Sequence, residues 1–164
     1  MAMGAVVYIR QASPTNISER AATKITLVCA KTKVAPLKKL TIPRLELNAA
    51  LILSELVKYV PRTLELDNVE THLWTNSMIA LTWINGRPSR WKDYQQNKVI
   101  KIKDNLPTAR WRHIAGKGNP ADCASRGLSP SQLVNHQLWW QGPPWLNSSS
   151  EHWPINDIKQ QELP

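Results

Sequence analysis

The stretch HLWTNSMIALTWI, His72 to Ile84, contains the transition that decides the fold. A short apolar run ends at Trp74, three polar residues follow, and an apolar segment of helical length then begins. This pattern predicts a strand, a tight break and a helix, an arrangement that α/β domains use to present polar side chains at a strand end. The polar residue at this strand end is Asn76, an amide without charge.

The flanking sequence extends this pattern into a mixed α/β order. β-Branched and aromatic runs predict strands, apolar three- and four-residue spacing predicts helices, and proline or glycine marks their limits. The basic stretch KTKVAPLKK is interpreted as a loop, and Pro61 is predicted to end the first helix. The predicted elements are strands at 4–10, 24–30, 69–74 and 110–115, with helices at 43–59, 76–84, 94–106 and from 120 onward.

Two acidic residues occupy notable positions in predicted helices. Glu46 shares one helical face with four apolar residues, Ala49, Ala50, Leu53 and Val57, and lies at the upstream end of that apolar stripe. For an isolated glutamate, the preferred explanation is a boundary residue whose carboxylate reaches solvent or favours the helix N-terminus. Asp122 falls in the first turn of the helix that opens at Pro120.

Length and composition indicate one domain of ordinary composition. The chain has 164 residues, of which 42% are hydrophobic and 20% are charged. No apolar run reaches the ~18 residues that a membrane span requires. The N-terminus does not resemble a signal peptide, so we expect a cytoplasmic or nuclear protein that is not secreted. Cys29 and Cys123 form no CxxC pair and are interpreted as buried reduced thiols rather than a disulfide or a zinc site.

Positive charge is concentrated in residues 1–130. The net charge is +9, from 21 Lys and Arg against 12 Asp and Glu, and only one of those 21 cations, Lys159, lies beyond residue 130. This distribution favours a polyanionic partner, nucleic acid first, over a merely basic soluble protein. The candidate contacts are Lys31, Lys33, Lys38, Lys39, Arg44, Arg87, Arg90, Trp91, Lys92, Lys98, Lys101 and Lys117.

Two of these candidates have an equal or better alternative explanation. Trp91 lies between two cations and is as well suited to core packing as to stacking on a sugar or base. Lys117, in the glycine turn before Asp122, is suited to contact the scissile phosphate, but a flexible surface lysine is the preferred explanation.

The C-terminal part, residues 131–164, is rich in tryptophan and proline. LWWQGPPWLNSSSEHWP places four of the eight tryptophans among prolines and serines without a clear period. Docking of the indoles onto the domain surface is preferred over a base-stacking platform.

Several segments together resemble the ribonuclease H region of BEL/Pao-type retrotransposon polyproteins. They are AKTKVAPLKKLTIPRLELNAALIL, LWTNSMIALTWI, NPADCASRGL and LWWQGPPWL, in the same order as in that family. The resemblance runs from Gly4 to about Trp153. It implies a ribonuclease H-like mixed sheet flanked by helices over 1–130, followed by a Trp/Pro-rich connector over 131–164 toward an integrase-type region that is absent here.

The resemblance also implies a chemistry, namely hydrolysis of the RNA strand of an RNA–DNA hybrid. In the family, four carboxylates hold two divalent cations, Mg²⁺ or Mn²⁺. Glu46 matches the helix glutamate of the family and Asp122 matches the aspartate of the helix beginning NPAD. Asn76 stands where the family has the strand-end aspartate of WTDS, and the first acid, on a strand expected before Met1, has no counterpart.

These departures leave three hypotheses open. They are a ribonuclease H with Glu46 and Asp122 as surviving ligands and Asn76 as a weakened third, a catalytically dead nucleic-acid-binding module, and a decayed retrotransposon fragment. An amide supplies no negative charge to a hard cation, so hydrolysis is expected to be impaired. Without the central first strand, either residues 4–10 pair with residues 69–74 or the sheet stays split. Other parts of a retroelement polyprotein are the expected protein partners.

Overall fold

A computed structural model describes residues 2–12 and 23–154 of the chain. Up to residue 126 its order of strands and helices is the one predicted from the sequence, and two short helices follow that were not predicted. The strands are β1 (Ala2–Gln11), β2 (Lys24–Val34), β3 (His72–Thr75) and β4 (Arg110–His113). The helices are α1 (Ile42–Thr63), α2 (Met78–Asn85), α3 (Asp93–Asn105), α4 (Ala121–Arg126), α5 (Pro130–Val134) and α6 (Gln137–Gln141). Short 3₁₀ turns cover Pro88–Arg90, Gly116–Gly118, Pro144–Asn147 and Ser150–His152.

The four strands form two separate pairs. β1 and β2 pair as an antiparallel hairpin, with a register shift between Val7 and Tyr8, whereas β3 and β4 pair in parallel. Among the described residues no strand joins β1 to β3. The mixed α/β class is therefore confirmed, and of the two sheet arrangements predicted above the split sheet is the one observed.

Helix α1 packs under both strand pairs. Leu47, Ala50 and Leu51 of α1 join a core of ten buried residues that includes Leu73 of β3. A second, smaller core consists of Met3, Ala5, Leu45 and Ile52, under the hairpin. Leu53 packs against both cores. Helix α1 thus packs against both strand pairs, which do not pair with each other.

The C-terminal segment packs against side chains of β1 and β3. The Tyr8 hydroxyl donates a 2.6 Å hydrogen bond to the Trp139 carbonyl, and Arg10 Nε donates a 2.8 Å bond to the Leu146 carbonyl. The Trp145 and Trp153 rings pack against Trp74 at centroid distances of 4.9 and 5.6 Å. The docking interpretation is confirmed for these two indoles.

The prediction that Pro61 ends α1 was wrong. Pro61 lies inside the helix, which continues to Thr63 before Leu64 N–H bonds to the Val60 carbonyl. A proline in the last turn removes only one intrahelical hydrogen bond, and burial of Val60 in that turn helps hold it in helical conformation.

Two other boundaries also differ from the sequence prediction. The basic stretch from Lys31 to Val34 belongs to β2, because β1 extends to Ala2 and offers backbone partners for every residue there. β3 begins at His72 rather than Val69, whose side chain is exposed. Tertiary pairing, rather than local composition, sets both limits.

No helix in the described parts of the chain is long and apolar enough to cross a bilayer.

Candidate functional site

The candidate site lies at the C-terminal end of β3, where the chain turns into α2. The buried Ser77 caps α2, because its hydroxyl accepts a 3.1 Å hydrogen bond from the Ala80 N–H. The Thr75 hydroxyl accepts a 3.2 Å bond from the Ser77 N–H and fixes the turn. Asn76, between these two anchored residues, is held at the end of the strand.

Asn76 and Asp122 are in direct contact. The Asn76 Nδ2 donates a 3.3 Å hydrogen bond to Asp122 Oδ1, and Arg126, one turn further along α4, lies 3.5 Å from Asp122 Oδ2. Partial burial raises the pKa of the Asp122 carboxyl, and the Arg126 guanidinium opposes that shift. The carboxylate therefore accepts a hydrogen bond from an amide and forms an ion pair with an arginine.

The glycine turn 116–118 lies next to this pair. A Cβ added at Gly116 would lie 3.8 Å from Asp122 Oδ2 and 3.9 Å from Asn76 Nδ2. Glu46, half-buried on the first turns of α1, lines the same cavity as Asn76 and Asp122. The three predicted site residues therefore face one common space from three different elements.

These residues do not fit a pair of hard divalent cations. Among the described residues, no group of three or more His, Cys, Asp or Glu side chains is arranged to hold a metal ion. Two magnesium ions need several anionic oxygen ligands, whereas here the third position donates an N–H to Asp122. The site as it stands combines two carboxylates with an amide.

The space that these residues face is a long cavity of about 520 Å³ between the two half-sheets. β1 forms one side and residues 69–76, with β3 at their end, form the other. The face of α1 predicted from the sequence, with Ala49, Leu53 and Val57, forms its floor. The amphipathic stripe was thus correctly identified, and its residues both pack against the two cores and line this cavity.

Two of the candidate cations lie over a tyrosine ring, and the charges of two more act on one of them. The Arg44 guanidinium lies 4.9 Å and the Lys98 ammonium 5.9 Å from the centroid of the Tyr94 ring. Burial lowers the pKa of Lys98, and the positive charges of Lys101 and Lys33 lower it further, with a smaller opposing effect from Glu55. We call Lys33, Arg44, Lys98 and Lys101 the basic cluster.

The remaining candidate cations are exposed and lie elsewhere. Lys31 is on β2, Lys38 and Lys39 precede α1, and Arg87, Arg90 and Lys92 flank the turn between α2 and α3. Lys117 is exposed in the glycine turn beside Asp122. None of these seven side chains takes part in the two ion pairs found among the described residues.

Trp91 is a packing residue. Its ring is half-buried against the larger core, and its Nε1 donates a 3.1 Å hydrogen bond to the Trp83 carbonyl. Of the two explanations left open for this residue, the geometry favours core packing. Nearby, Lys103 Nζ donates a 2.7 Å hydrogen bond to the Gly86 carbonyl at the end of α2.

Sequence reasoning missed Tyr94, Asn48 and Arg126. The Tyr94 hydroxyl donates a 3.1 Å hydrogen bond to Asn48 Oδ1, which fixes the ring between α1 and α3. The four-residue spacings from Tyr94 to Lys98 and from Asp122 to Arg126 are the signals that could have indicated both contacts.

A split mixed sheet over a long helix, with a polar site at the strand end, is a mixed α/β arrangement consistent with the ribonuclease H-like class. Residues 1–77, a segment that includes Glu46 and Asn76, match the family described as Pao retrotransposon-like RNaseH-like domain. Over these residues the chain is similar to a Pao-type ribonuclease H-like region. No curated protein and no solved structure matches it.

Proposed function

We propose that this retroelement domain binds RNA–DNA hybrid through its basic cluster and that its capacity to hydrolyse the RNA strand is impaired. The observation that carries the binding proposal is that Arg44 and Lys98 both lie over the Tyr94 ring, while the charges of Lys101 and Lys33 act on Lys98. Neither ion pair of the described residues involves these cations. Like charges from three elements repel one another unless a polyanion is present, so duplex phosphates are the natural counterion.

The basic cluster and the candidate site share the first turns of α1. Arg44 and Glu46 are two residues apart on α1, and Asn48, one turn after Arg44, holds Tyr94. Residues two apart on an α-helix do not face each other, so binding of a nucleic-acid backbone to the cluster does not require contact with Glu46. Tyr94 itself fixes the cations and leaves little of its ring for stacking, so the expected recognition is of backbone and duplex shape.

Hydrolysis is expected to be impaired because of the residues available to bind metal ions. In the family, Mg²⁺ or Mn²⁺ held by four acids supplies an activated water and stabilises the leaving oxygen. Glu46 and Asp122 would be the two carboxylates available to such ions, and Asn76 would offer only a neutral oxygen. Partial burial already raises the pKa of Asp122, which disfavours the anionic form that a cation needs. This proposal places the protein in the cytoplasm or nucleus, with other parts of a retroelement polyprotein as neighbours.

The binding proposal is tested by titrating a fluorescent RNA–DNA hybrid with the protein at several salt concentrations. We expect affinity to fall steeply with salt, and the double variant Lys98→Gln/Lys101→Gln to reduce the slope of log K against log salt by about two. Arg62→Gln is the control, because Arg62 is an exposed cation in the last turn of α1, far from Arg44 at the start of that helix. Salt-independent binding, or equal losses for both variants, would remove the assignment of the basic cluster.

The impairment is tested by metal binding rather than by turnover alone. We expect Mg²⁺ or Mn²⁺ to change the melting temperature of the unaltered chain very little. Asn76→Asp should increase that metal-dependent shift, because it adds a carboxylate beside Asp122. Asn76→Ser, which removes the amide without adding charge, is the control. A large metal-dependent shift in the unaltered chain, together with hydrolysis of the hybrid, would contradict the impairment.

A further inference from the structure

A second cavity, also of about 520 Å³, lies at the N-terminal ends of β3 and β4, at the opposite end of this strand pair from the candidate site. The two strands are parallel and pair from His72 with Arg110 onward. Residues 69–71 and 105–109, which precede those first paired residues, line the cavity together with side chains of both strands. The segment before β3 also lines the cavity between the half-sheets, but the segment before β4 and the two arginines of β4 line only this one.

The outward face of β4 supplies these two arginines. Trp111, between them, is buried in the larger core, so Arg110 and Arg112 both point away from that core. Residues two apart on a strand are separated by about 7 Å, so two long guanidinium side chains can reach a single ligand. Arginine binds carboxylates and phosphates through pairs of parallel N–H groups.

No acid of the described residues neutralises either arginine. Neither of the two ion pairs found in that part of the chain involves Arg110 or Arg112. Arg112 is instead oriented by two contacts that leave its charge in place. Its Nη1 donates a 2.9 Å hydrogen bond to His72 Nδ1, and its guanidinium lies 5.6 Å from the centroid of the Trp74 ring. The guanidinium is therefore held in position with its charge available to a ligand.

The lining of this cavity is positive as a whole. Among the described residues that line it, Glu70 is the only acid, and its side chain is 86% exposed and lies 3.3 Å from His72 Nε2. Burial lowers the pKa of His72, Glu70 opposes that shift, and the charges of Arg112 and Arg10 lower the pKa further. The imidazole is therefore neutral at pH 7, and the arginines are the charges that an anion would meet.

We propose that this cavity binds a phosphate monoester, with Arg110 and Arg112 donating hydrogen bonds to the oxygens of its dianionic phosphate. A carboxylate occupies one guanidinium fork, whereas a phosphate offers three terminal oxygens and two charges, enough to engage both arginines. The cavity is larger than a phosphate group and has the size of a small-molecule site, so the esterified group also fits. The phosphate belongs either to a small molecule or to the 5′ end of a nucleic-acid strand. No residue of the basic cluster takes part, so this inference is independent of the proposed function.

The test is isothermal titration calorimetry of the full chain with AMP, a phosphate monoester, and with adenosine, which lacks the phosphate. We expect saturable one-to-one binding of AMP, competition by inorganic phosphate, and an affinity for adenosine at least about tenfold lower. An RNA–DNA hybrid with a 5′-phosphate, compared with the same hybrid ending in a hydroxyl, separates the two sources. Tighter binding of the phosphorylated hybrid supports a strand end, whereas equal binding of both hybrids, with AMP still bound, supports a phosphorylated small molecule.

Three variants test the location of AMP. Arg110→Gln, at an exposed residue, should weaken AMP binding at least about tenfold, and Arg112→Lys, which keeps the charge but loses the fork, should also weaken it. Arg87→Gln, at an exposed arginine outside the cavity, is the matched control and should leave the affinity unchanged. Circular dichroism verifies that all three variants fold like the unaltered chain.

Absence of saturable AMP binding, equal affinity for adenosine, or equal losses for Arg110→Gln and Arg87→Gln would overturn the proposal. So would a loss of AMP binding in the double variant Lys98→Gln/Lys101→Gln without a loss in Arg110→Gln, because AMP would then be bound by the basic cluster.

Discussion

The two half-sheets are built on the same helix but differ in how much apolar surface they bury. The β3–β4 pair rests on ten buried residues from five elements, whereas the β1–β2 hairpin rests on four. The hairpin also makes hydrogen bonds to the C-terminal segment, such as the one from Arg10 Nε to the Leu146 carbonyl. Hydrophobic burial therefore dominates the stability of one half, and side-chain contacts with the C-terminal segment contribute much of the other.

The largest expected effect separates these halves by truncating one buried residue in each. Leu73→Ala on β3 should lower the free energy of unfolding by about 2–5 kcal/mol, because Leu73 is 1% exposed within the larger core. Met3→Ala on β1 should instead release the hairpin locally with a smaller global loss. Denaturant unfolding measures the first effect, and hydrogen exchange of residues 2–11 and 24–34 measures the second. Equal global losses with uniform exchange would show that the halves unfold as one unit.

The second effect concerns the tie between the hairpin and the C-terminal segment. Arg10→Ala removes hydrogen bonds to the Leu146 and Ser148 carbonyls and the cation–π contact with Trp153. We expect a loss of about 1.5–3 kcal/mol and faster proteolysis after residue 140. Arg62→Ala, an exposed arginine of α1, is the control and should change neither quantity. Unchanged proteolysis of the Arg10 variant would mean that the indoles alone hold the segment.

A third, smaller effect is a pH dependence in the β3 half. Arg112 Nη1 donates a 2.9 Å bond to His72 Nδ1, and burial followed by the charges of Arg112 and Arg10 lowers the pKa of His72 against the opposing Glu70. The folded state favours the neutral ring, so stability is complete above pH ~6.5 and falls as pH drops below that value, where the unfolded chain takes up the proton first. His72→Gln should flatten this decline in melts between pH 7.5 and 5. A decline that persists in the variant would assign it to other groups.

The smallest effect concerns Asp122, whose raised pKa has the opposite sign of pH dependence. The unfolded carboxyl ionises first as pH rises through about 4, so ionisation costs folded stability from there upward to neutral pH. Asp122→Asn retains an oxygen that can accept the Asn76 amide hydrogen. It should therefore stabilise the protein at pH 7 by about 0.5 kcal/mol or less, since solvent and Arg126 screen the charge. Thermal melts at pH 4 and 7 measure the difference, and a destabilised variant at pH 7 would contradict it.

Much of the candidate site could be predicted from the sequence because its positions follow from local rules. The strand-to-helix turn fixes Asn76, helical spacing places Glu46 at the end of the apolar stripe, and the helix opening at Pro120 places Asp122 in its first turn. The hydrogen bond between Asn76 and Asp122 and the position of Arg126 could not be predicted, since they depend on how β3 and α4 meet.

The basic surface shows the same division. Composition indicated a polyanionic partner and gave twelve candidate residues, but it could not rank them. Tertiary packing brings Arg44 and Lys98 over the Tyr94 ring, because the start of α1 packs against α3, and the charges of Lys101 and Lys33 act on Lys98. It also turns Trp91 into the core, where its N–H bonds to the Trp83 carbonyl.

The sequence by itself determined the order of elements, the apolar face of α1 and the polar residues at the end of β3, because these depend on side-chain periodicity and turn chemistry over a few residues. Only the tertiary structure decided the end of α1 beyond Pro61, the extension of β2 through Val34 and the open cavity between β1 and β3. Each of these depends on which distant backbone and side-chain groups meet. The periodicity of side chains along the sequence does not indicate which distant residues make those contacts.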